Sequence, residues 1–288
     1  MQLFKQSLRS ILFTATVLAA PLTMAATAEL LWQVDGFDQP ESVISNKQAT
    51  RLFVSNMNGE GGEKNGLGYI SLLDLQGNIL QKQWITGLNA PKGMAISCDT
   101  LYVADIDHVV VISITSGKII DKIPVDGAHF LNDVTVDARG HVYISDLMGG
   151  TIYKLNNGVV TPWFNNERLP HPNGVSWHQD QLMVASWGKN IKADFSTEQN
   201  GSLYRIDPVT KALKRRSASE YLGNLDGLAH YRQAHYVSDW ITGEVFELKG
   251  KQINLLLQLP TGAADISIKE GKLWVPLMLD GQVQGYQL

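Results

Sequence analysis

One cysteine, Cys98, is all that the 288-residue chain carries. No intrachain disulfide can form, and a lipid-modified cysteine near the N-terminus is excluded, so the fold must be held by its core. Helical periodicity is equally scarce. Beyond the first thirty residues no apolar positions recur at i, i+3, i+4 and i+7 for three turns, which excludes a helical or helix-covered architecture. Basic residues are outnumbered, 24 Lys and Arg against 28 Asp and Glu, so the basic stripe that nucleic acid requires is not expected. No glycine-rich loop with phosphate-binding spacing precedes a helix, and neither a G-x-S-x-G elbow nor an H-E-x-x-H pair occurs.

The one long apolar run lies at the N-terminus. Lys5 and Arg9 precede Ile11 to Ala20, followed by Pro21 and small residues. That order predicts a secretory signal over residues 1 to 25, cleaved after Ala25 or Ala28, and hence a periplasmic or secreted protein. The run is too short, and too soon interrupted by proline, to predict stable membrane insertion. Loss of Lys5 and Arg9 takes the basic count from 24 to 22 against 28 acidic groups, a formal charge of −6.

With 44% hydrophobic residues, the remainder (29 to 288) can bury one large core as a single domain. Six segments share one template: 40 to 56 (PESVISNKQATRLFVSN), 91 to 105 (PKGMAISCDTLYVAD), 131 to 146 (LNDVTVDARGHVYISD), 172 to 186 (PNGVSWHQDQLMVAS), 225 to 239 (LDGLAHYRQAHYVSD) and 263 to 276 (AADISIKEGKLWVP). Each has a small or polar pair, an alternating apolar run, a polar turn, a second apolar run and often a Ser-Asp or Ala-Asp ending. Two further apolar runs fit before the next copy, and four short strands per repeat make a propeller blade. The pattern predicts an all-β, six-bladed β-propeller with four antiparallel strands per blade. The last copy holds only three strands, so the segment 28 to 37 (AELLWQVDGF) is expected to close the sixth blade and remove its free edge.

The first polar residue of each copy falls at Glu41, Lys92, Asn132, Asn173, Asp226 and Ala264, in steps of 51, 40, 41, 53 and 38 residues. The first strand of a blade is innermost, so these side chains should ring one mouth of the channel. The two long steps carry extra segments, 56 to 68 and 187 to 200, both between second and third strands and therefore on that same face. They read either as a lid or as surface insertions, and Gly59, Gly61, Gly62, Gly66 and Gly68 would leave the first one mobile.

Glu41, Asn132, Asn173 and Asp226 offer two carboxylates and two amide carbonyls. These are hard oxygen donors suited to Ca²⁺ or another divalent cation, with no thiol or imidazole for zinc. Two carboxylates about 5 Å apart repel by roughly 3 kcal/mol at an effective dielectric of 20, a penalty that a cation would remove. Two alternatives stay open. The Lys92 ammonium could take the cation's place between Glu41 and Asp226, and Asn-Asp, Asn-Gly and Asp-Gly pairs also begin strands for turn reasons alone. Trp187 and Trp240 follow second strands and could line a sugar or apolar pocket, or simply pack between blades. His129 and His171 precede ring positions and could shuttle protons. Asp265 could support the ring from behind.

In "PESV", "LNDVTVD", "HPNGVSW" and "LDGLAH" the sequence resembles the family of gluconolactonase, senescence marker protein and luciferin-regenerating enzyme, over essentially the whole mature chain. The resemblance implies that Glu41, Asn173 and Asp226 ligate a divalent cation and that Asn132 ligates it or orients substrate. It further implies an exported Ca²⁺-dependent lactonase or esterase with a small-molecule substrate. In that reading Asp226 and Asn132 are catalytic, and Lys92, Trp187, Trp240, His129 and His171 face the substrate. Two departures stand out: Glu41-Ser42-Val43 replaces the family's usual Glu-Gly-Pro, and Lys92 occupies the second blade's ring position. Another class shares the "PKGMAI" start and "LYVAD" strand of 91 to 105: NHL-type propellers, which bind a peptide or glycan without catalysis.

Overall fold

The computed structural model describes residues 28–288; the expected signal of residues 1 to 25 lies outside the described residues. Among the described residues, six four-stranded antiparallel sheets account for nearly all regular structure, joined only by one short hairpin and one 3₁₀ turn, Ser217–Ser219. The innermost strands of the first five blades are Pro40–Ser45, Pro91–Ser97, Leu131–Val136, Pro172–His178 and Leu225–Tyr231. The sixth is shorter, Ser267–Lys269, followed by Lys272–Leu277 and Gln282–Gln287. Its outermost strand is Glu29–Asp35, with Glu29 opposite Gln287 and Asp35 opposite Gln282, so the first described strand completes the last blade as expected.

Burial explains why period-2 alternation fades toward the axis. Inner strands are covered on both faces by adjacent blades, and the second strand of blade 3, Val142–Asp146, is buried throughout. An outermost strand such as Lys118–Pro124 is mostly exposed, with only Ile119 and Ile123 half-buried. The core therefore sits between blades: Ala95 and Val109 of blade 2 pack against Val134, Ile144 and Tyr153 of blade 3, and corresponding clusters fill the other gaps. Each buried Val or Ile among these stabilises the fold by about 1.5–3 kcal/mol.

The Ser-Asp endings of the second strands bind backbone amides. Asp146 accepts from the N–H groups of His129 and Phe130 at 2.9 and 2.8 Å, and Asp105 from those of Asn89 and Ala90. Both carboxylates thereby pin the loop that enters the same blade's innermost strand. The serines link neighbouring blades: Ser145 Oγ donates to Asn173 O at 2.6 Å and Ser238 Oγ to Ala264 O at 2.7 Å. These bonds fix the backbone at ring positions, the geometry on which any chemistry at the mouth depends.

Candidate functional site

In each of the first five blades the pairing of the innermost strand slips at the ring position, between Pro40 and Val43, Pro91 and Met94, Leu131 and Val134, Pro172 and Val175, and Leu225 and Leu228. Such bulges unpair a residue and re-aim its side chain. Asn132, an unusual residue with which to begin a strand, occupies one of them. Glu41, Lys92, Asn132, Asn173 and Asp226 are thereby turned into one cavity of about 320 Å³ at the channel mouth. The sixth blade contributes no polar ring side chain; Ala264 is fully buried, and Asp265 N–H donates to Glu41 O at 2.9 Å, joining last blade to first.

The glycines that follow ring residues answer the turn reading. Gly174 and Gly227 have no positive φ. A Cβ on Gly174 would lie 2.0 Å from Asp226 O, and one on Gly227 2.2 Å from Ile266 N. Asn173-Gly174 and Asp226-Gly227 are therefore not turn dipeptides. Glycine is required because the next blade's backbone passes at contact distance, which packs the ring tightly enough for side chains of separate blades to meet.

Glu41 Oε2, Asn132 Oδ1, Asn173 Oδ1 and Asp226 Oδ1 are all buried without a hydrogen-bond partner in the protein. Leaving one such oxygen uncompensated costs about 1–3 kcal/mol, and natural structures hold few. Apart from two histidine nitrogens on the opposite face, these four are the only such side-chain atoms among the described residues. Burial, then Asp226 and Asp265, pushes the Glu41 carboxyl well above the usual range; burial, then Asp265, does the same to Asp226. Deeper in the channel lies a second tier. Asp133 accepts from the N–H groups of Val134 and Val175, both at 2.6 Å, and Asp265 accepts from Ser42 Oγ at 2.5 Å. Burial raises the Asp265 carboxyl to about 7. Four fully enclosed carboxylates around one axis leave a strong demand for positive charge.

Lys92 does not meet that demand by direct pairing. Its Nζ donates to Gly61 O at 2.7 Å and Ala90 O at 3.0 Å and lies 4.2 Å from the Phe130 ring centroid, and it forms no salt bridge among the described residues. Burial lowers its pKa to about 8 against the opposing pull of Glu41 and Asp105. The lysine thus clasps the 56 to 68 segment over the mouth. That segment is further tied by Gly59 N–H to Gln39 Oε1 and by the Lys64–Asp107 ion pair, so its glycines serve a tethered turn. The second insertion folds as a hairpin, Gly188–Ile191 with Thr197–Asn200, and Phe195 at its tip also lines the cavity.

Trp187 and Trp240 both reach the mouth, ring centroids 6.1 Å apart, with Trp187 Nε1 donating to Phe195 O at 2.8 Å. His129 and His171 do not. His129 is exposed, the His171 ring bonds Leu147 O at 2.9 Å, and no histidine lines the cavity. Phe130, Met57 and Met278 are apolar wall residues that repeat alignment did not single out.

The residues present fit a hard divalent cation, since four buried oxygens without partners line one cavity and the carboxyl groups there are hard to ionise without a counter-charge. Among the described residues no three His, Cys, Asp or Glu side chains are grouped to hold a metal. A cation here would thus depend on the Asn132 and Asn173 carbonyls as much as on the two carboxylates.

No family model matches the sequence, and no curated protein matches it. Solved structures do resemble the fold. Virginiamycin B lyase from Staphylococcus aureus aligns at a TM-score of 0.65 and 12% identity, covering 91% of this chain and 99% of that one. A streptogramin B lyase aligns at 0.63 and 13%, covering 91% and 97%. A chain of the nidogen/laminin complex aligns at 0.59 and 15%, covering 78% and 84%. Among the described residues no helix is long and apolar enough to cross a membrane. At these identities the likeness is one of fold, and it makes the chain a six-bladed β-propeller similar to enzymes and to a propeller of the nidogen/laminin complex alike.

Proposed function

We propose that the mouth cavity is the active site of a divalent-cation-dependent hydrolase of the lactonase type, acting on a sugar lactone or similar small ester, with Ca²⁺ as the expected ion. The observation that carries this reading is the set of four buried, unpartnered oxygens on Glu41, Asn132, Asn173 and Asp226. The resemblance to the gluconolactonase group supports it through those same residues. When bound, the cation would supply Lewis-acid polarisation of the substrate carbonyl and the positive charge that keeps the ring carboxylates ionised.

Hydrolysis needs a base that takes a proton from water as the new C–O bond forms and returns it to the alkoxide as the lactone C–O bond breaks. No histidine lines the cavity, which leaves the carboxylates, and Asp226 is the one we assign. Asn132 orients the substrate oxygen. Trp187, Trp240 and Phe130 flank the polar ring with apolar surface suited to a sugar face and to exclusion of water. Lys92 holds the overhanging segment in place through Gly61.

The test is turnover of an aldonolactone and small-ester panel with Ca²⁺, with chelator, and with Asp226→Ala. Cation-dependent hydrolysis that falls about a thousandfold or more in the variant is expected. No turnover of any substrate by the wild-type protein would leave the mouth as a binding site for a peptide or glycan. Isotope from labelled water appearing in the Asp226 carboxylate in a single turnover would make it a nucleophile instead of a base.

A further inference from the structure

The innermost strands run from the candidate site to the opposite face of the ring, about 20 Å away for six or seven residues. There, between blades 4 and 5, a second cavity of about 560 Å³ is walled by Arg205, Lys214, Arg215, Arg216 and Arg232, with no Asp or Glu in its lining. Arg205 lies on the strand Leu203–Ile206, Lys214 and Arg215 on Leu213–Arg215, Arg216 at the start of the 3₁₀ turn, and Arg232 in the hairpin after Leu225–Tyr231. In a chain that is acidic overall, this is a local concentration of one sign.

Neighbouring acids do not cancel it. Glu220 pairs with Arg215 at 2.5 Å, and Asp207 accepts from the N–H groups of Val209 and Thr210 at 2.9 and 2.8 Å. Asp180 adds a third acid in the hairpin between the lining residues Gln179 and Gln181; with all three counted, the five cations exceed them by two. Arg205, Lys214, Arg216 and Arg232 form no salt bridge among the described residues. Arg216 is held by donation to Gly250 O at 2.6 Å, fixing part of its guanidinium at the rim. His235, in the same wall, registers the field: burial chiefly lowers its pKa, and His230, Arg216 and His178 lower it further. A surface charged only for solubility intersperses its signs; a concave one of single sign focuses potential on a counter-charged ligand. Guanidinium forks match phosphate and sulfate oxygens in pairs, and the cavity has the size of a small-molecule site.

We infer that this far-face cleft is a second binding site, for a ligand carrying several phosphate or sulfate groups, separate from the channel mouth. Phosphate clusters occur on soluble molecules and on lipid headgroups, and two arms distinguish them. In metal-free buffer, inorganic tripolyphosphate titrated into the full chain should bind and weaken with added salt. Arg216→Gln and Arg232→Gln should each reduce affinity about tenfold. Lys118→Gln, on the outer strand of blade 2, should leave affinity unchanged. Co-sedimentation with phosphatidate-containing vesicles but not phosphatidylcholine vesicles, lost in the same arginine variants, assigns the ligand to a membrane headgroup; tripolyphosphate binding without co-sedimentation assigns it to a soluble anion. Arg205→Gln with Lys214→Gln, both at exposed positions, provides a second variant if Arg216→Gln lowers the melting temperature. Absence of tripolyphosphate binding at low ionic strength, or binding that the cleft variants do not alter, overturns the inference.

Discussion

Replacing Asp226 by Asn should move stability in opposite directions with and without a cation. The side chains are nearly isosteric, so packing is preserved and the change is one of charge. In chelator at pH 8, Asp226 is fully enclosed beside Glu41 and Asp265, and its carboxyl is raised well above its unfolded value. Between the two values the native state binds more protons than the unfolded chain, so native stability falls as pH rises. Two ionised carboxylates about 5 Å apart would repel by about 3 kcal/mol at an effective dielectric of 20; partial protonation relieves part of any such repulsion, leaving about 1–3 kcal/mol that Asp226→Asn should recover. Excess Ca²⁺ should stabilise the wild-type protein by about 2.7 kcal/mol at a hundredfold over Kd and the variant far less. Urea midpoints measured in chelator and in CaCl₂ give all four values. If the variant is less stable than wild type in chelator, and Ca²⁺ shifts neither, the carboxylates are not a charged cage awaiting a cation.

Gly174→Ala puts a methyl group into the Asp226 carbonyl. Because Gly174 has no positive φ, the effect is purely one of close approach, about 3 kcal/mol, visible as a melting temperature lowered by at least about 6 °C. Ser238→Ala strips a buried hydroxyl that accepts from Gly227 N–H at 2.9 Å and donates to Ala264 O at 2.7 Å; two stranded backbone groups should cost about 2–4 kcal/mol in urea unfolding. His235, neutral in the fold with its pKa lowered to about 4, is protonated more readily in the unfolded chain. Stability from this group is therefore complete above about 6.5 and lost as pH falls toward 4. Allowing for partial solvent screening, wild type should lose about 2 kcal/mol more than His235→Gln over that interval.

The architecture was readable because each blade repeats the same physical problem: two inner strands buried on both faces, two outer ones half-exposed, and a polar residue where the chain enters the axis. Aligning the copies placed Glu41, Asn132, Asn173 and Asp226 in one cavity without coordinates. What the copies could not show is how a bulged strand aims its neighbours. Gly174 and Gly227 looked like turn formers, whereas the neighbouring backbone demands them. Asp265, next to Ala264, was legible as a support behind the ring, but Asp133, one residue past Asn132, completes a second acidic tier that a ring-position alignment passes over. Lys92 matched the ring in register, yet its long side chain reaches Gly61 O instead of the carboxylates, a choice governed by rotamer and loop packing. His129 and His171 are near the ring in sequence, but the His129 side chain is exposed and the His171 ring is engaged with Leu147 O. The basic cleft draws on Arg205, Arg216 and Arg232 from separate elements, and only the meeting of blades 4 and 5 gathers them.

The pairing of Glu29 with Gln287 couples the first and last described strands, more than 250 residues apart in sequence. Every earlier blade can form from contiguous chain, but this final contact must wait for both strands and bears the largest loop-closure entropy in the molecule. Until it forms, the assembly is an arc with two raw edges, prone to recruit a strand from a second copy. Deleting residues 29 to 35 should consequently favour association over mere local fraying, whereas joining residue 288 to residue 29 and opening the chain between two other blades should move the point of vulnerability without altering the mouth.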